Sequence, residues 1–313
     1  MGRFLVLGAG AIGQGTALEL ADRGHDVTVV SRSGRGPAHE GVRAVAADAA
    51  DAERLTTLAR GAEAVVNALN PPSYTTWERD WPPLAQAALT AAERSGAGLV
   101  TVGNLYGYGV VDGPMTDRTP LRPNGHKGAL RARMWETALE AHRSGRVRAT
   151  ELRASDYTGP GVGAQSLLNS MVIARVVKDR PVWLVMGNPD APHTWTDVRD
   201  TARLAAVLAT DDRSWGQVWH VPSAPARSMR EVVGEVAQLC GRAPKAVHGI
   251  PRGAVTALGT VVPLLREVRE TRHQFERPFV LDATHTTEVF GLQPTPWEVT
   301  LKETVEWLSA TAA

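Results

Sequence analysis

The chain has 313 residues, and its 34 lysines and arginines nearly cancel 33 aspartates and glutamates, giving a formal net charge of +1. That balance argues against a nucleic-acid or anionic-membrane partner, while the length allows one large α/β unit, or a dinucleotide domain with a smaller companion, with a full buried core. The single cysteine, Cys240, excludes an internal disulfide and fits a reducing compartment.

Only Lys127, Lys178, Lys245 and Lys302 are lysines, and the arginines are spread along the chain, so the arginine and alanine content reflects genomic base composition more than function. The first strand signal begins almost at Met1, leaving no room for a signal peptide, and no uninterrupted apolar run is long enough to span a bilayer. A soluble cytoplasmic protein is the expectation.

Residues 4–7 are an apolar run of buried-strand length that ends on Gly8-Ala9-Gly10-Ala11-Ile12-Gly13, and an amphipathic segment over 11–23 follows at once. Strand, glycine turn and helix in that order form a dinucleotide-binding signature. Gly8 allows the tight turn, Gly10 lets backbone N–H groups approach a pyrophosphate, and Gly13 lets the helix pack on the strand, with Ala11 and Ile12 opening the helix toward the phosphates. The alternative is a merely structural glycine turn. Gly24 stops the helix, and residues 26–30 make a second strand.

The end of that second strand selects the cofactor. NAD sites place an acid there for the adenosine ribose, whereas a 2′-phosphate needs cations and small hydroxyl donors. This chain has Ser31-Arg32-Ser33 and then Arg35, which predicts NADP; solvated loop arginines are the competing reading.

Strand and helix signals then alternate to about residue 155: strand 42–47 ending on Asp48, helix 51–59, strand 64–69, helix 84–95, strand 98–102, helix 126–144 and strand 147–153. The pattern predicts an α/β, Rossmann-type doubly wound parallel sheet over residues 1–155, with a return segment near 190–210. Residues 156–313 predict a smaller, discontinuous C-terminal substrate domain. Its signals are helices at 165–178, 198–209 and 229–240, the last capped by Ser228, with strands at 182–186 and 218–221 and tail helices at 258–275, interrupted by Pro263, and 300–309.

The order of motifs resembles the extended and atypical short-chain dehydrogenase/reductases, the superfamily of NAD-dependent nucleotide-sugar epimerases and dehydratases, over nearly the whole chain. GAGAIG is similar to the family's glycine motif, with Leu7 in place of its first glycine. The segments TVGNLYGYG (101–109), RASDYTGPG (153–161), HTWTDVRDTA (193–202) and FGLQPTPW (290–297) match later family segments in order. The resemblance implies that Asp48 receives the adenine amino group and that α/β relatives dimerise through two helices, here those from residues 84 and 126, which allows a homodimer.

The catalytic positions depart from the family pattern. Val102 stands where a serine or threonine is expected, four residues before Tyr106, and adjacent Thr101 turns to the opposite face of the strand. In place of the family's YxxxK the chain has Lys127-Gly-Ala-Leu-Arg131. In the family the tyrosine moves a proton to or from the substrate oxygen and the lysine holds the nicotinamide ribose. Arg131 could hold the ribose, and Lys127 could stabilise a developing alkoxide or act as acid or base. Like charges four apart near a helix start are slightly unfavourable, so a ligand or a solvated surface must account for the pair.

Weaker candidates follow. Tyr106 is an alternative proton donor on the loop after the fifth strand, with Asn104 and Tyr108 nearby. Asn67 and Asn70 flank the fourth strand's end, with Pro71-Pro72 beyond, and contact the nicotinamide ribose or merely form an asparagine turn. Asp156 and Tyr157 face substrate or satisfy loop backbone. Trp77 and Trp81 line a pocket or bury between domains. His126 and His193, the latter with Asp190 nearby, carry no metal-binding spacing, so no metal is expected.

The leading expectation is an NADP-dependent oxidoreductase acting on a small carbonyl or alcohol. The alternatives are an inert NADP-binding sensor and a nucleotide-sugar epimerase or dehydratase. Fold cannot choose among them, because function belongs to the site.

Overall fold

Apolar runs that are buried on both faces and alternate with amphipathic segments need helices above and below a parallel sheet, and the chain forms one. The computed structural model describes residues 1–71, 73–163, 165–184, 187–250 and 270–311. In chain order the regular elements begin with β1 (Arg3–Leu7), α1 (Ala11–Ala21), β2 (Asp26–Ser31), β3 (Val42–Ala46), α2 (Ala52–Ala59), β4 (Ala64–Asn67), α3 (Trp77–Ser95) and β5 (Gly98–Asn104). They continue with α4 (His126–Arg143), β6 (Ala149–Ala154), β7 (Asp156–Thr158), α5 (Ala174–Val177), β8 (Val182–Leu184), β9 (Trp195–Asp197) and α6 (Val198–Thr210). The last are β10 (Val218–His220), α7 (Met229–Leu239), β11 (Val247–Gly249), α8 (His273–Glu276), α9 (Thr284–Phe290) and α10 (Trp297–Thr311).

Two compact units emerge. The first comprises Met1–Gly107, Lys127–Arg153 and Thr201–Val221, the second Tyr108–His126, Ala154–Asp200 and Pro222–Ala313. In the first unit a seven-stranded parallel sheet runs in the order β10-β6-β5-β4-β1-β2-β3. Phe4 to Leu7 of β1 and all of β4 and β6 are buried, as central strands covered on both faces must be, whereas edge strand β3 is half exposed. Leu7 is in register with Asn67, and strand order reverses between β1 and β4. A crevice outside the carboxyl ends of the strands at that reversal is the ligand position of such sheets.

The helix signal at 84–95 understates α3, which starts at Trp77 and carries Pro82 and Pro83 inside it. An interior proline costs about 3 kcal/mol, so Pro82-Pro83 reads as a breaker in sequence. Starting the helix earlier buries Trp77 and Trp81, at 5% and 2% exposure, and the apolar area removed from water offsets the lost hydrogen bonds. A short turn, Tyr74–Thr76, precedes it, with the Ser73 side chain accepting the Thr75 N–H.

In the second unit, β7 pairs with β9 and β8 with β11, both parallel, beside a core that includes Leu168, Val172, Ile173, Val232, Val236 and Leu301. The helix expected over 165–178 forms as a wide π-helical stretch, Leu168–Ile173, running into α5. Ser228 caps α7 as expected, in a reciprocal capping box with Glu231. The Ser228 backbone N–H holds the Glu231 carboxyl below its usual range. The expected strand end at 185–186, Pro72 and the tail-helix signal over 258–269 lie outside the described residues, and α8 falls within the described end of that signal. Among the described residues no helix is long and apolar enough to cross a membrane.

Candidate active site

The glycine turn joins β1 to α1 as the sequence predicts. Gly8 has φ of +102°, and a Cβ there would stand 2.7 Å from the Ala68 carbonyl oxygen; a Cβ on Gly13 would stand 2.0 Å from the Gly8 carbonyl oxygen. Both glycines are therefore required by the fold itself. Gly10 differs. Its backbone is ordinary, at φ −75° and ψ −179°, and a Cβ built on it meets nothing within 4 Å. The protein's own packing gives no reason for glycine at the helix N-terminus, whereas close approach of a ligand does. Gly10 is the N-cap of α1 without a side-chain cap, and no acid stands in the first turn, which opens with Ala11 and Ile12, so the amide groups and helix dipole face no competing anion there. The turn fits a dinucleotide pyrophosphate. Gln14, which the motif gives no reason to single out, donates to the Ala9 carbonyl at 2.7 Å and braces the turn.

Around the crevice the other cofactor candidates stand at strand ends. Ser31 ends β2 and donates its hydroxyl hydrogen to the Arg35 carbonyl at 2.8 Å, which closes the loop and commits the Ser31 donor; Arg32, Ser33 and Arg35 are exposed on it. Exposed Asp48, after β3, accepts the Ala50 N–H at 2.9 Å. Asn67, 3% exposed at the end of β4, accepts the Leu69 N–H at 3.3 Å, and Asn70 is exposed.

Lys127 and Arg131 do not form a solvated surface. Their relative exposures are 5% and 6% on the inner face of α4. Burying two cations costs several kcal/mol each unless other groups hold them, so this arrangement needs partners that helix packing alone does not supply. Arg131 donates from Nη2 to the Val102 carbonyl of β5 at 2.7 Å, and its guanidinium lies 4.6 Å from the centre of the Trp81 ring. Lys127 Nζ lies 5.8 Å from the centre of the Tyr74 ring. The Tyr74 hydroxyl is 2.8 Å from the Tyr106 hydroxyl, Tyr74 stacks on Trp77 at 4.8 Å and 16°, and Trp77 stacks on Tyr106 at 6.1 Å and 24°. Asn104 accepts the Tyr106 N–H at 3.1 Å and fixes the loop after β5.

The first unit thus gathers Lys127, Arg131 and Tyr106 with Trp77 and Trp81, and adds Tyr74. Sequence reasoning does not reach Tyr74, since Ser-Tyr-Thr-Thr after two prolines reads as loop; the neighbouring Trp77 and Trp81 were the available signal. The arrangement offers two phenol hydroxyls that can exchange a proton and a buried cation able to stabilise negative charge.

The second unit holds Tyr108, buried at 1%, together with exposed His126 and half-buried Asp156 and Tyr157. Asp190 is not the partner of His193: it pairs with Arg230 at 2.6 Å, while His193 Nε2 faces Asp156 at 2.8 Å. His193 Nδ1 lies 3.0 Å from the Gln274 carbonyl, and the ring stacks among Trp195, Phe275 and Phe279. Among the described residues no three His, Cys, Asp or Glu side chains are grouped to hold a metal ion.

Solved structures share this fold. MoeE5, in complex with UDP-glucose and NAD, is 22% identical, with a TM-score of 0.80 and 100% of both chains covered. A dTDP-glucose 4,6-dehydratase, DesIV from Streptomyces venezuelae, with NAD bound, is 22% identical with a TM-score of 0.77, over 97% of this chain and 96% of its own. UDP-glucose 4-epimerase from Thermotoga maritima, with UDP-glucose, is 19% identical with a TM-score of 0.78, over 99% of this chain and 100% of its own. No curated protein matches the chain by sequence. The sequence model of the NAD dependent epimerase/dehydratase family matches residues 4–221, and the chain belongs to that family.

Proposed function

We propose that the chain is a nicotinamide-dinucleotide-dependent epimerase or dehydratase acting on a nucleotide-linked sugar, with Tyr106 and Lys127 serving where the family uses a tyrosine at the start of α4. The observation that carries this reading is the burial of Lys127 beside the two hydrogen-bonded phenols. Nucleotide sugars in the structurally similar proteins support the substrate class over the small free carbonyl that composition and motifs first suggested.

The Gly8–Gly13 turn would hold the pyrophosphate, Asp48 the adenine, and Asn67 and Arg131 the nicotinamide ribose. When bound, the dinucleotide takes up and returns a hydride. The chain's own residues handle the proton: the Tyr106 hydroxyl gives it to, or takes it from, the substrate oxygen, and the Lys127 ammonium stabilises the negative charge left behind. Val102 presents no side-chain donor, and its carbonyl is held by Arg131, so orientation of the substrate falls to other groups.

The assay is incubation of the protein with UDP-glucose, UDP-glucuronic acid and dTDP-glucose, following the sugar by nuclear magnetic resonance. An epimerised or dehydrated sugar is expected. Reduction of free carbonyls with no change in any nucleotide sugar would overturn the substrate assignment in favour of a small-carbonyl oxidoreductase. Tight dinucleotide binding with no turnover of either class would replace the enzyme with a sensor.

Although the similar structures hold NAD, the loop after β2 supports NADP, because no acid occupies the end of that strand and Arg32 and Arg35 stand on it. Arg32→Ala is expected to weaken NADP binding about tenfold, the screened share of a charge-assisted contact at an exposed site, and to leave NAD binding unchanged. Calorimetric titration with both oxidised dinucleotides decides it; equal affinities in the wild type would remove the assignment.

A further inference from the structure

Lys127 and Tyr106 leave one member of the aromatic cluster without a role. Tyr74 is 36% exposed, so its ring bridges solvent and the interior, and its hydroxyl meets that of half-buried Tyr106 at 2.8 Å. At that distance one phenol donates to the other, and once either has lost its proton a single proton shift along the bond moves the negative charge between them. Packing holds the pair in register. Trp77 stacks against both rings, at 4.8 Å from Tyr74 and 6.1 Å from Tyr106, and rests in turn edge-on against Trp81 at 6.1 Å. The Ser73 side chain, accepting the Thr75 N–H, fixes the turn that carries Tyr74.

The charged groups around the cluster come from two helices. Lys127 lies over the Tyr74 ring and Arg131 over Trp81, both from α4; Glu78 and Asp80 stand in the first turn of α3, with Asp80 paired to Arg79. Lys127 thus brings a cation to the phenol pair, its Nζ 5.8 Å from the centre of the Tyr74 ring. An ammonium beside that ring favours negative charge on the Tyr74 oxygen.

We propose that Tyr74 is the outer member of a two-phenol proton relay, carrying the proton between Tyr106 and solvent while Lys127 holds the charge the transfer leaves on it. The proposal rests on the functional reading above, in which Tyr106 exchanges a proton with the substrate oxygen. When that oxygen takes the proton, the Tyr106 O–H bond breaks and its electron pair stays on the phenolate. Tyr74 then donates its hydroxyl proton across the hydrogen bond, Tyr106 is neutral again, and the negative charge rests on Tyr74 beside Lys127. A solvent water then gives a proton to Tyr74, its O–H bond breaking, and the hydroxide that remains passes to bulk solvent. In the opposite direction every transfer reverses, so the pair serves proton removal as well. Tyr74 acts through Tyr106 and is a positioning and relay residue.

The test uses the whole protein, first without any dinucleotide. The chain has four tyrosines, Tyr74, Tyr106, Tyr108 and Tyr157, so tyrosinate absorbance can be followed during a pH titration and assigned by substitution. One phenol is expected to ionise before the others in the wild type. Tyr74→Phe, Tyr106→Phe and Lys127→Met, made separately, should each move that first ionisation upward by about one pH unit, the size of effect that a lost hydrogen bond or neighbouring charge produces. In turnover assays Tyr74→Phe should lower kcat about tenfold with KM unchanged, less than the roughly 10²-fold or greater loss expected of Tyr106→Phe as the direct donor. Tyr74→Phe keeps the ring and its stack on Trp77, so a purely structural role predicts no change in either measurement.

A wild type without an early ionisation, or a Tyr74→Phe protein that retains it, overturns the relay whatever the assay shows. A Tyr74→Phe protein with altered KM and intact kcat also overturns it, in favour of substrate packing. An early ionisation that depends on all three residues, in a protein that turns over no nucleotide sugar, supports the coupled pair and sinks the functional reading instead.

Discussion

Gly10→Val should abolish dinucleotide binding and leave the melting temperature within a few degrees of the wild type. The backbone of Gly10 is extended, with φ −75° and ψ −179°, a conformation that β-branched residues adopt without strain, and a Cβ there has no neighbour within 4 Å. Nothing in the protein therefore resists the new side chain. What the two methyl groups occupy is the space over the α1 N-terminus, where a pyrophosphate must approach the backbone amides. Gly13→Ala is the contrast: its Cβ would lie 2.0 Å from the Gly8 carbonyl oxygen, a backbone atom, so α1 must shift on β1 and stability falls. Calorimetric titration with NADP and NAD, together with thermal unfolding followed by circular dichroism, separates the two cases. Retained affinity in Gly10→Val would make this a structural turn only; loss of the fold in Gly10→Val would show that the open space is needed by the protein itself.

The difference between those two glycines marks what a sequence reveals. The strand, turn and helix of residues 3–21 are contiguous, and their periodicity and spacing state the whole local geometry, so the α/β fold and the position of the dinucleotide turn are legible directly. Which glycine serves the fold and which serves the ligand is not, because it depends on the Ala68 carbonyl brought alongside by β4. The same holds at α4. Lys127 and Arg131 are visible as an awkward like-charged pair, but only the packing of α4 against Trp81, Tyr74 and the Val102 carbonyl shows that both are buried. Tyr74 has no local signal beyond the neighbouring tryptophans. Its partner is 32 residues away, and the prolines before and after it hide that α3 begins at Trp77 and presents the turn to the Tyr106 loop. In the second unit the acid near His193 in sequence, Asp190, pairs with Arg230, and the fold gives His193 Asp156 instead, 37 residues distant.

Lys127→Met should lower turnover by roughly 10²–10⁴-fold, the loss typical of removing a positioned acid–base or charge-stabilising group, while dinucleotide affinity changes by no more than about twofold. Methionine retains the length and apolar stem of lysine, so at a site only 5% exposed it fills the same space against the cluster. What it removes is the charge. An ammonium kept out of water costs several kcal/mol, so the variant should be as stable as the wild type or more so, and loss of activity with unchanged or raised melting temperature is the signature of a charge retained for function. Arg131→Met should behave differently. It takes away the Nη2 hydrogen bond to Val102 and leaves that buried β5 carbonyl without it, a penalty of about 1–3 kcal/mol, and with β5 less firmly held dinucleotide affinity falls along with stability. Lys127→Arg completes the set: it keeps the charge but spreads it over a planar group too large for the same position, and should recover only part of the lost turnover. Turnover of Lys127→Met within threefold of the wild type, or a fall in stability that matches its fall in activity, would show the buried lysine to be a packing element, and proton transfer would then have to be assigned without it.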